Sequence, residues 1–347
     1  MKVLVTGGGG FLGGYVVRQL LERGDKVRSF SRGFYNGLLK LGVEQKQGRL
    51  DDVNAVFDAV AGCDAVVHVG GKNGAWGPYE EYYSANVAGT GNVINACIKH
   101  GVNRLVYTSS PSAVFQRCDM EGVDESIPYP DHSTHYARTK AMAEQLMIAA
   151  NGDRLATVSL RPRLIWGPGD NHFAPLLVSR AKAGKLLLIG NGKNLVDTVW
   201  VENAARAHLL ALDRLKPGAR IAGKVYFITN GDPRPIEFII NMIMDVYGLP
   251  PAKRHVPRWL AYAGGWFFEK AHDTLHLRSE PLVTPFVVDE LTKSQWFNIS
   301  GARNDLGYDP GITIEDGARR LKDYIAGEND SMEFNISMKT TGDNNER

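Results

Sequence analysis

The stretch KVLVTGGGGFLG, residues 2–13, constrains this chain more than any other. A five-residue apolar run leads into four consecutive glycines and then into GGYVVRQLLERG (13–24), which has the apolar spacing of an amphipathic helix. Strand, side-chain-free turn and helix in that order form a phosphate cradle. The glycines let a ligand reach the backbone, and the free N–H groups and dipole of the helix start favour negative charge. A dinucleotide pyrophosphate is the expected occupant. Two registers fit: Gly8, Gly10 and Gly13 spell GxGxxG, and Gly7, Gly10 and Gly13 spell GxxGxxG behind Thr6.

Short β-branched runs at 2–6, 26–31, 64–70, 104–110 and 155–162 alternate with helical patterns at 13–24, 53–62, 86–101 and 135–152. Such alternation predicts an α/β fold, a doubly wound parallel sheet of the Rossmann type with helices on both faces. After Gly167 the pattern loosens into helices near 203–215, 235–248, 257–271 and 313–326, with strands near 198–201 and 225–229 expected to return to the sheet. The expected division is a dinucleotide-binding domain over 1–166 and about 196–230. A smaller, mostly helical substrate-binding cap takes about 167–195 and 231–326, and a disordered tail takes 327–347. A chain of 347 residues with 44% hydrophobic content supports a large core, and a net charge of +2 argues against nucleic acid as a partner. Cys63, Cys97 and Cys118 lack any CxxC or His spacing, so neither a disulfide framework nor a metal site is expected. MKVLVTGG is not a signal peptide, and WLAYAGGWFFEKA (259–271) is too short to span a bilayer, which makes a cytoplasmic, non-membrane-spanning protein the expectation.

The segment after the second strand selects among dinucleotides. An acid there would bind the 2′-hydroxyl of NAD, but KVRSFSRGF holds none, and no Asp or Glu occurs between Asp25 and Glu44. Ser31 and Arg32 stand in its place. Arg32 could pair with a 2′-phosphate, which favours NADP(H) over NAD(H), or be a solvated cation. YARTK puts Tyr136 and Lys140 four apart on one helix face, where an ammonium favours the phenolate and lowers the tyrosine pKa. Ser110 closes the strand RLVYTSS, at the sheet edge where α/β proteins bind ligands; it can hydrogen-bond a substrate oxygen or cap a turn.

In this order, TGGGGFLG, NVAGT, YTSS, YARTK and LRPRLIWGPGD resemble the extended short-chain dehydrogenase/reductases over roughly residues 1–326, within them the 3β-hydroxysteroid dehydrogenase group. GAWGPYEEYYSANVAGT and LRPRLIWGPGDNHFAPLL look most like bacterial 2-alkyl-3-oxoalkanoate reductases of long-chain olefin biosynthesis, with sterol 4-carboxylate 3-dehydrogenases as cousins. The resemblance implies Ser110, Tyr136 and Lys140 as the catalytic triad, and Asn86 as the helix asparagine that helps hold an active-site water. It selects the register Gly7, Gly10 and Gly13. It adds Phe11, Leu12, Leu50, Lys72 and Pro162 to Ser31, Arg32, Tyr136 and Lys140 as cofactor contacts. Relatives carry Gly-Asp-Leu after the third strand; Gly48-Arg49-Leu50 departs from that pattern at the adenine edge. The implied activity is reduction of a long-chain β-keto acid by NADPH, with a 3β-hydroxysteroid or sterol-carboxylate dehydrogenase as the alternative. A non-catalytic dinucleotide-binding regulator is the reading from another class. A hydrophobic small molecule, a homo-oligomeric state and a complex with other olefin-biosynthesis enzymes are the implied partners.

Three weaker signals remain. Arg163 could face a substrate carboxylate or form a structural ion pair. Trp259, Tyr262, Trp266 and Phe267 share a helix face. That face could line an alkyl pocket or touch a lipid-rich partner, but cap core is the expectation. HDTLH, His272 to His276, lacks a third ligand, so no metal is expected.

Overall fold

A computed structural model describes residues 1–327, apart from 75, 133, 276–280 and 282. In chain order the elements are β1 Lys2–Thr6, α1 Phe11–Glu22, β2 Lys26–Ser31, β3 Glu44–Gln47, α2 Val53–Val60 and β4 Ala65–His68. A π-helical turn, Tyr83–Ala88, then runs into α3 Gly89–His100, followed by β5 Arg104–Thr108, α4 His135–Ala150 and β6 Ala156–Pro162. The second half holds α5 Phe173–Lys182, α6 Val201–Arg214, β7 Val225–Ile228, α7 Ile236–Val246, α8 Arg258–Thr274, α9 Pro285–Thr292 and α10 Ile314–Gly327.

β1 to β7 form one sheet in the order β7-β6-β5-β4-β1-β2-β3, and every pairing is parallel. Side chains alternate across it with period two. Val3 and Val5 pack with Leu12, Val16 and the alanines of α6, whereas Leu4 packs with Val56, Val93 and Met147 from α2, α3 and α4. The winding reverses between β1 and β4, and that switch point opens a crevice at the carboxyl ends of the strands. A third cluster joins Trp166 and Trp200 to α5, α7 and α10.

Several expectations need correction. β7 does join the sheet, but Val199–Trp200 pairs with Ile165–Trp166 instead. Because α6 begins at Val201, only two residues are left to pair. The helical cap side also carries short strands that the sequence did not announce. Arg234–Pro235, Leu195–Val196, Gln295–Phe297 and Met120–Val123 form a second sheet from pieces of two to four residues, too short for a period to show. α5 and α9 start close to Pro175 and Pro285, which mask them as breaks although proline suits a first helical turn. Gly327 ends α10; the remainder of the expected tail lies outside the described residues.

α8 overturns the core reading of its aromatics. Trp259, Trp266 and Phe267 are 72%, 56% and 64% exposed, and Tyr262 is exposed with them. The small Ala261 and Gly265 face inward instead. A Cβ on Gly265 would come within 3.0 Å of the Thr284 backbone, so close approach to the start of α9 fixes which face turns in.

Candidate active site

Gly7 has φ +70°, and a Cβ there would meet the Gly70 backbone at 2.8 Å, so only glycine lets β1 turn beside the loop after β4. The Gly10 N–H donates to the Gly7 carbonyl at 2.9 Å, and a Cβ on Gly13 would strike that same oxygen. Gly8 and Gly9 are crowded too, by Ser29 and the Tyr35 ring, so the whole glycine run shapes this turn. The start of α1 suits an anion. Gly10 is exposed, no side chain caps the helix, its first turn holds no acid, and a Cβ on Gly10 would meet only the Gly7 oxygen. Phe11 and Leu12 carry the first helical N–H groups. The residues present fit a dinucleotide pyrophosphate.

Ser31 lies at the end of β2, where its hydroxyl accepts from the Gly9 N–H at 3.4 Å, and Arg32 is exposed just beyond. Tyr35, which sequence reasoning missed, lays its ring against Gly9. Arg49 turns away to pair with Asp51 at 2.8 Å, so it does not occupy the cradle. Leu50 packs against Gly70 and Gly89. The Lys72 ammonium pairs with Glu81 at 2.6 Å. Pro162 ends β6 beside Ile228 of β7.

Tyr136 and Lys140 sit in α4, which Thr134 caps through the Ala137 N–H. Tyr136 is half-buried and lies close enough to Ser110, itself buried just beyond β5, to feel its hydroxyl. Ser110 also caps a short turn, accepting from the Ser112 N–H at 3.2 Å. Burial raises the tyrosine pKa, the nearby Ser110 hydroxyl lowers it, Glu290 raises it and Arg163 lowers it; the net direction is up. The Lys140 ammonium donates to the Thr108 carbonyl at 2.6 Å over the Tyr107 ring. Burial pushes its pKa down to about 7, against the opposing pull of Glu144. Glu144, one turn along α4, pairs with Arg161 at 2.6 Å and accepts from the Tyr129 hydroxyl at 2.7 Å. This buried pair pins α4 to β6. Its i,i+4 spacing from Lys140 was visible in the sequence; its partner on β6 was not.

Asn86 sits in the π-helical turn, and its amide is fully used within the protein. It accepts from the Lys72 N–H at 2.7 Å and donates to the Lys72 carbonyl and the Thr139 hydroxyl, both at 3.1 Å. It thereby ties the loop after β4 to α4. Its own carbonyl accepts from Thr90, whose hydroxyl contacts His68; on its other side His68 meets Thr6, which accepts from the Gly70 N–H. Burial and the nearby Lys140 push the His68 pKa down to about 3, so the ring is neutral.

Arg163 follows β6 and is buried, paired through Nη1 with Glu290 of α9 at 2.7 Å. Arg163 Nε and Glu290 Oε1 are both buried without a hydrogen-bond partner among the described residues. Ser110, Tyr136, Arg163 and Glu290 thus converge, and Glu290 could not be foreseen from a position over a hundred residues downstream. His272 donates through Nδ1 to the Phe268 carbonyl at 2.8 Å; His276 lies outside the described residues.

A sheet that reverses direction over an uncapped glycine turn, beside a tyrosine–lysine helix, defines an NAD(P)-dependent oxidoreductase of the short-chain dehydrogenase/reductase class. The chain belongs to the 3-beta hydroxysteroid dehydrogenase/isomerase family, whose model matches residues 4–258. Among its relatives is a 2-alkyl-3-oxoalkanoate reductase of Stenotrophomonas maltophilia, 49% identical and covering 93% of this chain and 98% of that one. The mouse sterol-4-alpha-carboxylate 3-dehydrogenase, decarboxylating, is 32% identical and covers 92% of this chain and 89% of its own length. The NAD complex of Thermus thermophilus UDP-glucose 4-epimerase shares the fold, with TM-score 0.72, 23% identity and coverage of 94% and 99%.

Proposed function

We propose that the protein uses NADPH to reduce the 3-oxo group of a 2-alkyl-3-oxoalkanoate to the 3-hydroxy acid, in long-chain olefin biosynthesis. The observation that carries this reading is 49% identity to a reductase of that name over 325 residues, nearly the whole of both chains. The site is compatible with it. Ser110 lies near Tyr136, and a buried cation, Arg163, stands within electrostatic reach of the tyrosine.

The chemistry that a bound nicotinamide supplies is a hydride to the carbonyl carbon. The remaining work falls to side chains. Tyr136, whose raised pKa keeps it a phenol, donates its proton to the developing oxyanion, and Ser110 adds a second hydrogen bond. Lys140 holds ribose hydroxyls and supplies positive charge beneath the tyrosine. Arg163 receives the substrate carboxylate on its unpartnered Nε. Arg32, exposed past β2, receives the 2′-phosphate.

The test sets NADPH and NADH oxidation with a long-chain 2-alkyl-3-oxoalkanoate beside NAD(P)+ reduction with a 3β-hydroxysteroid. Turnover of the keto acid, faster with NADPH and shifted towards NADH in Arg32→Asp, is expected. Turnover of the steroid alone would replace this reading with the sterol one, which the sterol-carboxylate relatives favour.

A further inference from the structure

α8 is built inside out for a cap helix. Its outward stripe, at helical spacing, is Trp259, Tyr262, Trp266 and Phe267, continued by Leu275 at 66% exposure. Trp259, Tyr262 and Trp266 line an open groove of about 650 Å³ together with Arg258 and Ala263. An apolar face of this kind on a folded chain marks a docking surface.

The charge around it identifies the occupant. Lys253 and Arg254 are exposed in the turn leading into α8. His255–Val256 pairs in parallel with Leu188–Ile189, and the Leu188 N–H donates to the Arg254 carbonyl at 2.9 Å. That ladder brings the end of α5 alongside, with exposed Lys182, Lys185 and Leu187. No Asp or Glu occurs in 171–190 or in 246–268, stretches that hold six Lys and Arg. A protein partner would need a matching apolar and acidic face. An anionic bilayer offers both properties to a helix lying flat, with aromatic rings at headgroup depth and lysines against phosphate. Among the described residues no helix is long and apolar enough to cross a membrane, so the contact is peripheral.

We propose that the exposed aromatic face of α8, with the basic ends of α5 and of the turn before α8, docks the protein onto an anionic lipid surface. Asp289 on α9 receives Arg117 and Arg258, and Arg117 also donates to Tyr262. The next residue, Glu290, pairs with Arg163. The docked helix is therefore joined to the candidate site through α9, and an amphiphilic substrate would enter from that side. This last clause alone rests on the function proposed above.

The experiment is co-sedimentation of the full chain with phosphatidylcholine vesicles, with and without phosphatidylglycerol, and no substrate present. Binding confined to the anionic vesicles and weakened by salt is expected. Each lysine or arginine near such a surface contributes about fivefold, so Lys253→Glu with Arg254→Glu should weaken binding by at least roughly tenfold. Trp266→Ser with Phe267→Ser should remove it while leaving dinucleotide binding intact, since these side chains point to solvent. Absent binding, equal binding to both vesicles, or binding unaffected by the aromatic substitutions would overturn the proposal. So would a dimer in sedimentation velocity that the aromatic substitutions dissolve without any vesicle binding, because the face would then cover a second copy. Failure of the keto-acid assay leaves the vesicle result standing, so the two readings fail separately.

Discussion

A tyrosine becomes a usable acid only through its neighbours. The Tyr136 hydroxyl lies in a half-buried position, where desolvation outweighs the influence of the Ser110 hydroxyl and the Arg163 charge and holds the proton on. That is the form a reduction requires. Tyr136→Phe deletes one hydroxyl and leaves the ring between Tyr82 and α4. Its kcat should drop by at least about a hundredfold, the usual cost of an acid–base group, while NADPH titration by fluorescence stays unchanged. Retained turnover would assign the proton to another group.

At the scale of elements, the site is a meeting of three pieces: α4 with Tyr136, the end of β6 with Arg163, and α9 with Glu290. The Arg161–Glu144 pair fixes the first to the second, and Arg163–Glu290 fixes the second to the third. If Arg163 receives the substrate carboxylate, Glu290 orients it through Nη1 and leaves Nε for the ligand. Removing Arg163 alone would strand a buried carboxylate, so the informative variant is Arg163→Met with Glu290→Gln. Its KM for the keto acid should rise roughly 10- to 100-fold, the worth of a charge-assisted hydrogen bond, with kcat for a neutral ester and NADPH affinity largely retained. Unchanged acid kinetics would make the pair structural.

At the scale of the whole molecule, a carboxylate is buried against the second sheet. Asp197 is fully buried; its Oδ2 accepts from the Phe297 N–H at 2.8 Å, while Oδ1 has no partner among the described residues. Desolvation raises its pKa to about 7, despite the Phe297 bond, Thr229 and Arg163. The folded state therefore holds this proton more tightly than the unfolded chain does. Its contribution to stability is present below about pH 4 and is lost as pH rises to about 7, on the order of 3–4 kcal/mol in all. Asp197→Asn keeps an acceptor for Phe297 and should flatten that loss. Thermal unfolding followed by circular dichroism should show the variant gaining on the parent between about pH 4 and about pH 7; parallel curves across that range would refute the assignment.

What the sequence alone determined is whatever short-range pattern encodes: the glycine turn, the strand–helix alternation behind six of the seven parallel strands (the polar Glu44–Gln47 gave no apolar signal), and the spacing of Tyr136 and Lys140 on one helix face. Each is set within a few residues by backbone sterics and periodicity, so it can be read locally. The contact of Gly7 with the Gly70 backbone, which only glycine allows, could not be read from the glycine run alone. Glu290 beside Arg163, Asn86 clasped to Lys72, and the two-residue ladder at Val199–Trp200 depend on contacts between distant segments, for which a single sequence carries no period. α8 shows the limit most plainly. Its apolar stripe was legible, but whether that stripe faced the core or the solvent was decided by the fit of Gly265 against the start of α9. A hydrophobic period specifies that a face exists; the shape of the neighbouring backbone specifies which face can approach.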